Sequence, residues 1–184
     1  MVKIGAMANP IYSLNNLSMR SFLILILCSV VVSGLCAQEV PFFKKYDSVN
    51  YEKVQINGVP MSGTKKDILK KIGKPQKITK YRNDSNDDHW FEYHYDHTIL
   101  EVSDDGSFYG FKLKTRAFTW RYGADSVKVG DASSGICKYF PASCRTMKAE
   151  KADMLRVRCQ GTDAFIHFWV KDNFVTSIEV WQDL

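Results

Sequence analysis

The chain lacks the marks of most familiar chemistries. It has no C-x-x-C, so a thioredoxin-like redox role has no support. Around "GKP" (73–75) the glycines and Ser/Thr of a phosphate loop are missing, and the tripeptide reads as a helix stop. No run of Lys and Arg marks a nucleic-acid patch, because a formal charge of only +5 is spread along 184 residues. No apolar run reaches the roughly 20 residues of a bilayer-spanning helix.

The nearest approach to such a run is "FLILILCSVVVSGLCA" (22–37), which follows Arg20. A basic residue, a short apolar stretch and a small-residue exit are the parts of a secretory signal. Residues 1–37 are therefore expected to be removed, with cleavage after Cys36 or Ala37. Met19 is a natural start, so residues 1–18 are either an over-extended gene start or a long n-region. Cys36 would permit a lipid anchor, although Leu35 stands where such a signal prefers a small residue. The expected location is periplasmic or secreted, with no membrane span in the mature chain. Export leaves Cys137, Cys144 and Cys159, an odd count that suggests one disulfide and one buried or reactive thiol.

Sliding the chain against itself by 66–67 positions reveals a weak internal repeat. "SGTKKDILKKIGKP" (62–75) falls on "VGDASSGICKYFPA" (129–142), and "DDGSFYGFKL" (104–113) on "KDNFVTSIEV" (171–180). Each unit opens with a turn and a short helix stopped by Gly or Pro. Three alternating stretches follow, 89–95, 98–103 and 107–114 against 154–160, 163–170 and 174–181. Asp-Gly or Asp-Asn joins the last two of each set, as tight hairpins require. "RAFTWRY" (116–122) adds a strand between the units. The expectation is an α+β fold, two tandem helix-plus-antiparallel-meander repeats forming one sheet with helices on one face. Residues 38–57 are a lead-in, 58–122 the first repeat and 123–184 the second.

The arrangement over about 58–184 resembles β-lactamase inhibitory protein and its BLIP-like relatives. A single unit is also similar to the SmpA/OmlA envelope lipoproteins. The resemblance is strongest at "VGDASSGICKYFPASC" (129–144) and "FWVKDNFVTSIEVWQDL" (168–184). In such inhibitors a Cys after the helix pairs with one on the first strand of its unit. The resemblance therefore implies a Cys144–Cys159 disulfide, worth roughly 3 kcal/mol, with Cys137 left as a small buried hydrophobe. The first unit has no such pair at the matching positions, near Lys77 and Tyr93. For function, the resemblance implies inhibition of an enzyme or a role in envelope assembly.

Strand parity assigns two faces. Phe91, Tyr93 and Tyr95, Leu100 and Val102, and Tyr109, Phe111 and Leu113 form a nearly all-apolar set. Their counterparts are Leu155, Val157 and Cys159, Ile166, Phe168 and Val170, and Ile178 and Val180. This side should pack under the helices. The opposite parity carries Trp90, Glu92, His94, Glu101, Phe108, Lys112, Arg156, Arg158, Phe165, His167, Trp169, Glu179 and Trp181. Aromatics mixed with both charge signs are the composition of a protein-binding surface. The alternative is a solvated face whose aromatics merely pair across strands.

"DDHWFEYHYDH" (87–97) packs three histidines and three aspartates into eleven positions. On a strand, His89 and His97 would stand about 26 Å apart, while zinc needs its ligands near 2 Å from one point. Only His94, with Asp96 or His97 bent back at the turn, could approach that. Asp84, Asp87 and Asp88 lack the spacing and terminal Glu of a calcium loop. The segment reads as a strand, with no metal or cofactor. The expected function is a non-catalytic module that binds another protein of the cell envelope. A small-ligand, glycan or metal binder using the same face is the alternative.

Overall fold

Period-two alternation becomes strand pairing throughout the described residues. The computed structural model describes residues 45–82 and 89–182, all within one compact unit, Val40–Leu184. Residues 1–37, expected above to be an export signal, and Asp84, Asp87 and Asp88 lie outside the described residues, and Trp181 is described by its backbone pairing alone. The strands are β1 Ser48–Asn50, β2 Val54–Ile56, β3 Val59–Pro60, β4 Lys77–Arg82, β5 His89–Tyr95 and β6 Thr98–Ser103. They continue with β7 Phe108–Leu113, β8 Thr119–Tyr122, β9 Asp125–Lys128, β10 Met154–Gln160, β11 Ala164–Lys171 and β12 Phe174–Gln182. The helices are α1 Lys65–Lys71, α2 Ser133–Tyr139 and α3 Pro141–Glu150.

An eight-stranded sheet runs in the order β1-β10-β11-β12-β7-β6-β5-β4. Two meanders, β5-β6-β7 and β10-β11-β12, meet where β12 pairs antiparallel with β7. Their tight turns use the residues that tolerate positive φ: Asp172 and Asn173 sit at φ 52° and 67°, and Gly106 at 87°. A second sheet, in the order β3-β2-β8-β9, corrects the expectation of a single one. The lead-in supplies β1 to one sheet and β2 to the other, and "RAFTWRY" pairs with β2 and β9 as β8.

The core lies on one side of the large sheet. Tyr93, Leu100, Val102, Phe111, Leu113, Leu155, Val157, Cys159, Ile166, Phe168 and Ile178 are all buried, as parity assigned them. Ile68 of α1, Ile136 of α2 and Cys144 of α3 pack against them, together with Val54, Ile56 and Trp120 from the second sheet. Trp120 meets Phe168 edge-on at 5.2 Å and Phe140 at 5.9 Å. Asp47, just before β1, ties the lead-in to α3. Ser143 N–H donates to its carboxylate at 2.9 Å, and its own N–H donates to Ser143 Oγ at 2.9 Å.

Two further expectations are corrected. Phe108 belongs to the core, at 2 % exposure, and not to the open face. A bulge explains this: Glu101 pairs with Gly110 but Val102 with Phe108, so Tyr109 is the extra residue and the parity of β7 changes there. The disulfide joins Cys137 to Cys144, and Cys159 is a buried free thiol, so the Cys144–Cys159 pairing does not form. Pro141 does not merely end a helix. It occupies the first turn of α3, where its missing N–H costs nothing. The break at Phe140 then brings the last turn of α2 against the first of α3, with a Cα–Cα distance of 5.3 Å.

Candidate functional site

The open side of the large sheet is built from rows of cross-strand neighbours. One row runs unbroken from Arg156 through His167, Glu179, Lys112, Ile99 and His94 to Lys77. Beside it run Thr79, Glu92, Glu101 and Gly110, and beyond them Tyr81, Trp90 and Ser103. At the other end Met154, Trp169 and Ser177 form one row, and Arg158, Phe165 and Trp181 another. Apart from Phe108, and from Trp181, which is placed by its backbone pairing alone, the residues assigned to this face by parity pair along the same side of the sheet. Such directly opposed pairs are the unit of sheet stabilisation.

The centre of the face is acidic and largely self-satisfied. Glu179 is only 7 % exposed, yet Lys112 Nζ lies 3.0 Å from its carboxylate and Trp169 Nε1 donates to it. The indole of Trp169 is thereby held in place while 38 % of the residue stays exposed. His94 Nε2 lies 3.0 Å from the Thr79 hydroxyl and 3.3 Å from the Glu92 carboxylate. Gly110 gives the Glu101 carboxylate its place, since a Cβ there would overlap Glu101 Oε2. Two aromatic pairs flank this centre: Tyr81 stacks on Trp90 at 5.3 Å, and Tyr46 meets Phe165 edge-on at 5.6 Å.

Burial holds the Glu101 carboxyl above its usual pKa, Glu92 and Glu179 add to the effect, and Lys112 opposes it. The folded state therefore binds this proton more tightly than the unfolded chain does. Glu101 contributes most to stability below the ordinary carboxylate range, and that contribution is lost as pH rises through its raised pKa. Glu101→Gln should accordingly stabilise the fold near about pH 7, by about 1 kcal/mol or less, and lose this advantage at about pH 4. Thermal melts at the two pH values check it; a variant that melts lower at neutral pH contradicts it.

The histidines do not converge. His89 pairs with Arg82, His97 sits exposed 3.6 Å from Asp96, and His94 engages Thr79 and Glu92. Among the described residues no group of three His, Cys, Asp or Glu is placed to hold a metal ion. The thiol of Cys159 lies on the helix side, and burial pushes its pKa up to about 12, which keeps it protonated. Among the described residues no helix is long and apolar enough to cross a membrane. Chemically the open face offers aromatic planes, hydrogen-bond acceptors and charge.

Among the residues of this face that sequence reasoning missed are Tyr46, Lys77, Tyr81 and Tyr109. Tyr46 comes from the lead-in, where no alternation marks it. Lys77 and Tyr81 sit on β4, whose "KITKYR" lacks a clean apolar-polar period. Tyr109 was assigned to the core, but the bulge leaves it beside the Glu101 and Glu92 carboxylates. A cleft of about 990 Å³ opens beside Trp169, between the α2–α3 pair and the β11–β12 hairpin, and Lys148, Asp153 and Asn173 help to line it. No protein-family model matches this chain, and no curated protein or solved structure matches it either.

Proposed function

We propose that the protein is an exported, non-catalytic binding module that engages another protein of the cell envelope through the open face of its large sheet. The observation that carries this reading is Trp169: a large aromatic side chain, partly exposed, and fixed by a buried carboxylate that is itself paired with Lys112. An indole held in its binding rotamer loses little entropy when a partner covers it, as expected of an interface anchor. A merely solvated face has no need of such a brace. On this reading residues 1–37 are the export signal, and the disulfide is compatible with an oxidising compartment.

The same reading takes the two helix-plus-meander units as copies of one ancestral unit, in the manner of BLIP-like inhibitors and SmpA/OmlA lipoproteins. Inhibition of a secreted or envelope enzyme is the preferred role, and a part in envelope assembly the alternative. A second reading, a small ligand or glycan, is favoured by the cleft at Trp169, where an aromatic wall stands beside charged and amide side chains.

A photo-crosslinking amino acid placed at Trp90 or Arg156 in the full chain, in the producing cell, tests the surface. Both positions should give an adduct with the same protein, and Ser126, exposed on the second sheet, should give none. Adducts only from Ser126, or none from the open face, would overturn the proposal.

A further inference from the structure

The outer strand of the large sheet has a second feature that the open-face reading does not use. Among the described residues β4 pairs with β5 on one side and with no strand on the other. It is twice the length of the opposite edge strand β1, six residues against three. An edge strand presents a row of backbone donors and acceptors that can template an added strand. Its side chains are unusual for a guarded edge. Ile78 is 51 % exposed on the helix-facing side, across from Tyr93, and Tyr81 is exposed on the open side, stacked against Trp90.

The charge on β4 decides what could pair with it. The strand carries Lys77, Lys80 and Arg82 and no acid. A second copy pairing antiparallel about Lys80 would set the two Lys80 side chains against each other, and like charges directly opposed are destabilising. The lysines thus guard against self-association, which is their usual role at edges. They do not guard against a strand of the opposite sign.

We infer that β4 accepts an extended acidic segment of a partner protein as an added strand. The backbone ladder supplies the affinity, Lys77 and Lys80 select carboxylates, and Ile78 and Tyr81 give apolar contacts on alternate faces, the pattern by which strand addition gains specificity. The inference does not depend on the open-face reading, because the contacts are at the sheet edge.

The test uses protein purified after expression of the full chain and three fluorescein-labelled octapeptides: Glu alternating with Val, Lys alternating with Val, and the Glu peptide with a central Pro. Anisotropy should show the Glu peptide binding, more weakly as salt is raised, with the other two bound at least about tenfold more weakly. Hydrogen exchange at 77–82 should slow when the Glu peptide is present. Lys77→Glu/Lys80→Glu should invert the preference, now favouring the Lys peptide. Equal binding of the acidic and basic peptides, no binding of either, or unchanged exchange at 77–82 would each overturn the inference, whatever the variant does.

Discussion

Trp120→Ala should lower the free energy of unfolding by about 3–5 kcal/mol, the range for truncating a large aromatic in a core that cannot collapse around the loss. Trp120 is fully buried on β8 and faces Phe168 of the large sheet, Phe140 at the α2–α3 break and Tyr122 of its own sheet. Removing it empties the layer at which the second sheet, the helices and the large sheet meet. Its Nε1 is buried without a hydrogen-bond partner. Trp120→Phe keeps a ring in the layer and removes that orphaned donor, whose burial costs about 1–3 kcal/mol. It should therefore cost much less than the alanine variant. Denaturant unfolding of the two variants decides this. A loss under about 1 kcal/mol for Trp120→Ala, typical of a surface position, would contradict the packing described.

The meanders were legible because each long strand has one buried side. A one-residue slip would turn every core-facing residue of β5, β6, β10 or β11 to the open side, so alternation fixes both position and face. Where a strand does not divide into a buried and an exposed side, the signal fades. β4 is exposed at five of six positions, and its strand state follows from pairing with β5 and not from its own pattern. β1 and β2 are three residues each, too short to show a period.

The candidate face was legible to the same extent, and its errors have local causes. Parity propagates along β7 only until a residue is inserted, so the bulge at Tyr109 exchanged the roles of Phe108 and Tyr109. Nothing in "DDGSFYGFKL" marks the insertion except Gly110, whose missing side chain makes room for Glu101. The disulfide was misassigned because the inhibitor-like pairing requires one Cys after the helix and one on the strand. Here Pro141 starts a second helix, which carries Cys144 back against Cys137. The brace on Trp169 lay beyond sequence reasoning altogether: parity puts Trp169 and Glu179 on one face but says nothing of an indole N–H reaching a neighbouring strand's carboxylate.

Trp169→Ala should weaken partner binding by about thirtyfold or more, the effect of losing an interface anchor worth about 2 kcal/mol. Trp169 is the residue whose exposure, rigidity and place on the face all point the same way. Glu179 and Lys112 hold it before a partner arrives, so its loss removes contact area that carried little ordering cost. The direct measurement is titration of the crosslinked partner, once isolated, against the wild-type protein, Trp169→Ala and Tyr139→Ala. Tyr139 is an equally exposed aromatic, 40 % against 38 %, but it stands on α2, off the open face. With all three proteins melting alike, loss of binding for Trp169→Ala alone is the predicted result. Equal affinity for all three, or a loss confined to Tyr139→Ala, would contradict an open-face binding site.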